Sequence, residues 1–437
     1  MRRVAILLPV VVLAAMAVGA LPAVAAPGRA ARAEQAARID FNGDGFDDLA
    51  VGAQSEAVGS VQGAGAVNVL FGSADGLVPS PAILVQGSGG VGGSVDANDT
   101  FGAALAQGLF NDDDFFDLAV GSPGEADGGA SAGGAVNILY GSAAGLTGGP
   151  QLFQATPETN DRFGSSLAAG DYNGDGFFDL AVGVPGEDIG TTRDAGAVTV
   201  LFGSPAGITA AGAQTLYQGA GGAAGSAEEF DQFGTSLASG LLANDDLADL
   251  VVGVPGEDVG AVGEAGAVNL LAGSPGGLVN GSLVTQGNPE SNDTFGEAVA
   301  TGDFDEAAGD DVAVGAPGET VNGRELAGAV SVFSGPPNGL ASERLLFQGT
   351  AGIPGTPEAG DFFGLAVAPT DPNGIGQWDL AVGAPLEDVG TAIDAGAVTV
   401  FSAAGGGTLT RELPIIQGSG GLGGTAESSD LFGLALQ

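Results

Sequence analysis

One pattern occurs six times in this chain, and any fold it adopts has to build the same unit six times. A Phe-Gly pair recurs with its Phe at Phe101, Phe163, Phe233, Phe295, Phe363 and Phe432. A second marker, the Gly that closes an apolar run such as DLAVG, falls at Gly52, Gly121, Gly183, Gly253, Gly315 and Gly383. Successive Phe-Gly pairs lie 62 to 70 residues apart. A period of that size marks a repeat architecture in which each unit buries its apolar face against the next.

Within one period the chain offers four short candidate strands. In the third repeat they are FGSSLAAG, DLAVG, GAVTVLFG and the weaker AQTLYQG. None reaches helix length, and Gly, Pro, Asp and Asn separate them. The 82 glycines sit at the ends of the runs, as tight turns between strands require. Four strands per unit predict a propeller blade. The chain enters its repeats at Ile39-Asp40, at an acidic turn with no Phe-Gly strand before it. It ends with Phe432-Gly433-Leu434-Ala435-Leu436-Gln437, a Phe-Gly strand with nothing after it. Joined, the fragments make one whole repeat. The expected fold is therefore all-β, a six-bladed β-propeller whose C-terminal strand completes the first blade and leaves no open edge. The alternative is an incomplete seven-bladed ring. The recurring Phe residues are expected in the core, and Trp378, at the seat of Phe178 and Ala248, is expected to pack.

Residues 1–25 read as a secretory signal peptide: Arg2 and Arg3, an apolar run from Val4, and the small-x-small pattern Ala23-Val24-Ala25. Residues 26–38 read as a flexible linker and residues 39–437 as the propeller. The expected location is secreted, extracellular.

Net charge is −43, from 53 acidic residues against 10 basic ones. Nucleic acid and anionic membrane surfaces repel such a chain, whereas cations are drawn to it. There is no Cys and no His, which removes thiolate chemistry, imidazole metal sites and the Ser-His-Asp arrangement.

The turns between the first two strands of a repeat concentrate the acids. The first repeat reads Asp40-x-Asn42-x-Asp44-Gly45-x-x-Asp48, and the third reads Asp171-x-Asn173-x-Asp175-Gly176-x-x-Asp179. Side-chain oxygens at positions 1, 3, 5 and 9, with the carbonyl of Phe46 or Phe177 at position 7, supply the hard oxygen donors that Ca²⁺ takes. Three weaker sets keep three of the four oxygen side chains. They are Asn111, Asp113 and Asp117 in the second repeat, Asp303, Asp305 and Asp311 in the fifth, and Asp371, Asn373 and Asp379 in the sixth. The fourth keeps only Asp245 and Asp249 and is expected to hold no ion. The competing reading of all these turns is an Asx-turn hairpin without metal.

Phe163-Gly164, Asp171 to Asp179 and Gly183-Val184-Pro185 in one repeat, with Phe295-Gly296 and Gly315-Ala316-Pro317 in another, resemble the FG-GAP repeat, the unit of the integrin alpha-subunit β-propeller. The resemblance spans residues 39–437. It implies a propeller, calcium in the loop between the first two strands, and a role in adhesion or ligand recognition. The chain departs from the integrin pattern in having six repeats rather than seven and two complete calcium loops, so transmembrane signalling is not implied.

In a four-stranded antiparallel blade, the loops after the first and third strands emerge on one face, and the loop after the second and the blade-to-blade connection on the other. That second face carries the long loops 185–195, 255–265, 317–327 and 385–395, each opening on Glu187-Asp188, Glu257-Asp258, Glu319 or Glu387-Asp388. These acids either form a recognition surface for a protein or glycan ligand or cap turns. The function expected is a calcium-binding extracellular binding or adhesion module. The alternatives are a carboxylate- or calcium-dependent hydrolase or lyase on the same scaffold, and a structural envelope or matrix component.

Overall fold

The computed structural model describes residues 39–436, apart from 81–82, 244, 306–308, 336–339, 351–352, 354, 372–377, 405–407, 412–414 and 418–424. The expected signal peptide and linker lie outside the described residues, as does Asn373.

Among the described residues, alternating short apolar runs and Gly-rich turns give 23 strands and six antiparallel sheets. The first sheet holds β1 (Leu49–Ala53), β2 (Ala66–Phe71) and β3 (Val78–Pro79). The second holds β4 (Leu105–Gly108), β5 (Asp117–Ser122), β6 (Ala135–Tyr140) and β7 (Thr147–Leu152). The third holds β8 (Leu167–Gly170), β9 (Asp179–Val184), β10 (Ala197–Leu201) and β11 (Gln214–Leu216). The fourth holds β12 (Leu237–Gly240), β13 (Asp249–Val254), β14 (Ala267–Ala272) and β15 (Val279–Val284). The fifth holds β16 (Ala298–Gly302), β17 (Asp311–Ala316), β18 (Ala329–Ser334) and β19 (Ala341–Leu346). The sixth holds β20 (Ala366–Thr370), β21 (Asp379–Ala384), β22 (Ala397–Ala404) and β23 (Thr408–Arg411). Strands pair in chain order within each sheet, so every blade is a meander. The molecule is a six-bladed β-propeller.

The second strand of blades two to six, a near-continuous apolar run, is buried along its whole length, because neighbouring blades cover both of its faces. The fourth strand is only partly buried. Apolar cores therefore lie between blades. Phe163 packs with Ala119, Val136 and Ile138 of the second blade and Leu180 and Val182 of the third. Burial of a Phe side chain contributes about 1.5–3 kcal/mol. All five earlier Phe-Gly residues, Phe101 to Phe363, are 0–1% exposed.

The Phe-Gly pair is also a backbone joint. Phe163 bridges Gly134 of the preceding blade in parallel, and Gly164 donates its N–H to Gly183 O at 3.0 Å. A Cβ on Gly121 would lie 2.1 Å from Gly164 O, so only Gly lets the two backbones approach.

The seam follows the same rule. Phe432 donates its N–H to Ala395 O at 3.0 Å, and a Cβ on Gly383 would lie 2.0 Å from Gly433 O. Leu434 to Leu436 line the axial channel alongside Ile39, Phe41 and Ala50 of the first blade. Among the described residues this segment forms no ladder with β1, so the first sheet has three strands. The C-terminal segment thus takes the place of the first blade's inner strand by docking on the sixth blade. Trp378 packs its Cβ side toward Gly302 of the fifth blade and keeps 36% of its surface open.

Candidate metal centre

The acidic turns fold as nested Asx turns. Asp40 Oδ1 accepts the N–H of Gly43 at 2.6 Å, of Asp44 at 3.2 Å and of Asn42 at 3.3 Å, and Oδ2 accepts Gly45 at 2.8 Å. Asp171 repeats this with Gly174 at 2.6 Å, Asp175 at 3.1 Å and Gly176 at 3.0 Å. Asn42 and Asn173 each accept from the residue two further on at 2.8 Å, and Asp44 and Asp175 do the same for Phe46 and Phe177. Gly45 and Gly176 bend the chain at φ of 88° and 94°, the left-handed region that position 6 requires. A carboxylate has about four acceptor sites, so these bonds order the turn without exhausting its oxygens. The donor set is all oxygen and suits a hard divalent cation.

Position 9 has a second task. Asp179 accepts the N–H of Tyr172 at 3.1 Å and of Gly203 at 3.0 Å, tying the acidic turn to the end of the third strand. Asp48, Asp117 and Asp311 make the corresponding pair of bonds, to Phe41 and Gly72, Phe110 and Gly141, and Phe304 and Gly335. Asp249, in the turn expected to hold no ion, still accepts from Gly273 at 2.9 Å. Burial pushes the Asp117 and Asp179 carboxyls up to about 7 and those of Asp48 and Asp311 to about 6, against the lowering effect of these N–H donors.

The fifth turn gathers its acids most tightly. Carboxylate oxygens of Asp303, Asp305 and Asp311 all lie within 4.8 Å of one another, the one such trio of acids among the described residues. Charges that close repel by about 1 kcal/mol per pair even in water, and more in a half-buried turn. Sequence spacing places the first and third turns ahead of the fifth, whereas the structure brings together the oxygens of the fifth. In the second turn, Asn111 and Asp113 close Asx turns on Asp113 and Phe115 at 2.8 and 3.0 Å. Asp245 does so for Leu247 at 3.1 Å. Asp371 and Asp379 of the sixth turn are buried.

On the opposite face, the acids at the start of the long loops are built into the scaffold. Asp188, Asp258 and Asp388 each accept the backbone N–H six residues on, at 2.9 to 3.0 Å, and so close their own loops. Glu125, Glu257, Glu319 and Glu387 accept the amide of a Gln from the preceding blade: Gln86, Gln218, Gln286 and Gln348, at 2.5 to 2.7 Å. Gln154 donates to Glu187 in the same way. Burial pushes Glu187, Glu257, Glu319 and Glu387 up to about 7. Beside them stand Asp161, Asp231, Asp293 and Asp361, each holding the N–H of the acid three residues earlier and each pushed by burial to about 6.

Those earlier acids, Glu158, Glu228, Glu290 and Glu358, and their equivalents Asp96 and Glu427, bonded in the same way to Asp99 and Asp430, are exposed and sit five residues before each Phe. They form a six-fold ring of carboxylates that the reading of loop openings missed. Its signal was a constant offset from the Phe-Gly pair.

Fold and turns together define a six-bladed propeller with Asp-rich loops on one face. The family model of the FG-GAP repeat matches this chain at residues 33–70 and 163–201. Rat phosphatidylinositol-glycan-specific phospholipase D is 33% identical over 225 residues, covering 50% of this chain and 26% of that protein. Integrin alpha-5 of Xenopus laevis is 32% identical over 242 residues, covering 54% of this chain and 21% of that protein. Integrin alpha-PS5 of Drosophila melanogaster is 33% identical over 157 residues, covering 34% and 14%. The chain thus spans about a quarter or less of the length of these curated relatives. Among the described residues no helix is long and apolar enough to cross a membrane.

Proposed function

We propose that this propeller is an extracellular, Ca²⁺-binding recognition module that holds a protein or glycan ligand on the face opposite its acidic turns. The observation that carries the metal reading is the gathering of Asp303, Asp305 and Asp311 oxygens within 4.8 Å. These three would hold a cation in the fifth turn. Asp40, Asn42, Asp44 and Asp48 would hold one in the first, and Asp171, Asn173, Asp175 and Asp179 one in the third. The ion would neutralise mutual repulsion and fix the hairpin between the first two strands. Similarity to proteins named integrin alpha supports both the cation and the extracellular setting. The exposed acid ring beside the long loops favours a ligand with cationic groups or hydroxyls.

Thermal unfolding across a Ca²⁺ titration tests the metal reading, with EDTA and Mg²⁺ as controls. The midpoint rises with Ca²⁺ and not with Mg²⁺, and the rise shrinks in Asp303→Asn and Asp171→Asn. A midpoint indifferent to Ca²⁺ leaves the turns as plain Asx hairpins.

A further inference from the structure

The inner strands enclose an axial cavity of about 420 Å³, a size that suits a small molecule. Six apolar residues at equivalent positions of the six blades form a collar in its lining: Leu105, Leu167, Leu237, Val299, Val367 and Leu436. Two residues nearer the Phe-Gly end, five blades contribute Ser165, Thr235, Glu297, Leu365 and Leu434 to the lining. That end opens on the face of the long loops, because the blade-to-blade connection leads directly into each inner strand.

Among the described residues Glu297 is the one charged side chain lining the cavity. At its position, two residues after the Phe, the other repeats carry Ala103, Ser165, Thr235, Leu365 and Leu434, so the blade itself does not call for an acid there. Asp48, Asp179, Glu187 and Glu257 all have a partner in the scaffold, whereas the Glu297 carboxylate accepts no hydrogen bond from any described residue. Burial alone raises its pKa. A largely buried acid held without a partner is costly to ionise, and a bound cation removes that cost.

We propose that the channel binds a primary ammonium carrying a short apolar tail, with the cation on Glu297 and the tail against the Leu/Val collar. Thr235, two residues before β12 of the preceding blade, donates its hydroxyl to Gln232 O at 2.8 Å and keeps its oxygen free to accept a second ammonium N–H. Two residues of extended strand separate Glu297 from the collar, about 7 Å, which suits a chain of about six carbons. The site is separate from the cation turns and does not depend on the function proposed above.

Calorimetric titration of the full chain with n-hexylammonium, in EDTA and physiological salt, tests it. We expect one saturable site per chain, no matching site for n-hexanol or n-hexanoate, and at least tenfold weaker binding in Glu297→Gln. Leu237→Trp, which fills the collar while leaving Glu297 in place, removes binding as well. Absence of saturable binding overturns the proposal. So does binding that Glu297→Gln leaves unchanged, which would be condensation of a cation on an acidic surface.

Discussion

Gln218 crosses from the third blade to the fourth and donates its amide Nε2 to Glu257 Oε2 at 2.5 Å. The same bond recurs at four other blade junctions, always joining a Gln of one blade to a Glu of the next. The seam between the sixth and first blades differs. There Gln417, with its amide oriented to donate, reaches Asp430 Oδ2 at 2.6 Å and Thr425 O at 3.2 Å.

These junctions give the ring an unusual pH dependence. Glu187, Glu257, Glu319 and Glu387 are raised from an ordinary 4.5 to about 7, and Asp161, Asp231, Asp293 and Asp361 from 3.8 to about 6. Between about pH 4 and 7 the folded chain therefore holds more protons than the unfolded one, and stability falls as pH rises through that window. In EDTA, the unfolding midpoint is expected to be several degrees higher at pH 5.5 than at pH 8. Glu257→Gln combined with Glu319→Gln flattens the difference. A midpoint that climbs from pH 5.5 to 8 contradicts the assignment.

Removing the donor should cost more than removing the charge. Gln218→Leu leaves the buried Glu257 carboxylate without its amide, and the loss is expected at about 1–3 kcal/mol at pH 8. It should shrink at pH 5.5, where Glu257 is protonated and cheaper to bury. Chemical denaturation at both pH values measures this, and an equal loss at both would mean the Gln acts by packing alone.

The blade joint predicts a steep contrast between two glycines of one repeat. A Cβ on Gly183 would lie 2.1 Å from Ser166 Oγ and 2.2 Å from Gly234 O, whereas one on Gly176 meets nothing within 4 Å. Gly183→Ala must push two blades apart and is expected to cost at least the upper part of the ~1–3 kcal/mol typical of overpacking. Gly176→Ala carries only the strain of a left-handed backbone, about 1–2 kcal/mol. Equal losses in EDTA would show that the joint yields more easily than its geometry implies.

Much of this arrangement was legible in the letters. Glu125, Glu187, Glu257, Glu319 and Glu387 all stand 24 residues after a Phe of the Phe-Gly pair, and the buried Asp always stands two before it. Such constant offsets survive because they lie within or beside one rigid joint. The Gln partners escaped notice because the connection that carries them varies in length. Gln154 and Gln286 stand nine residues before the Phe, while Gln86, Gln218, Gln348 and Gln417 stand fifteen before it. Their meeting with the Glu is set by where the fourth strand ends in space. The gathering of Asp303, Asp305 and Asp311 was hidden for a related reason. Motif completeness counts oxygens, but backbone path decides how close they come.

Closure of the ring yields the last prediction. Leu436 is buried with Ala366, Ala381 and Val398 of the sixth blade, and Phe432 packs against the same cluster. Those contacts hold the segment where the first blade needs its inner strand, although no ladder to β1 is formed. Deleting the chain from Phe432 onward uncovers that cluster and the inner edge of β1 together. An uncovered strand edge and apolar cluster favour pairing between copies. The truncated protein should unfold at a lower temperature and associate, which calorimetry and light scattering after size exclusion would record. Phe432→Ala, which keeps the backbone joint at Gly433, should lower the unfolding temperature without association. A truncated chain as stable and as dispersed as the full one would mean that the first and sixth blades hold each other without this segment. Packing between β1 and the sixth blade would then have to supply the closure.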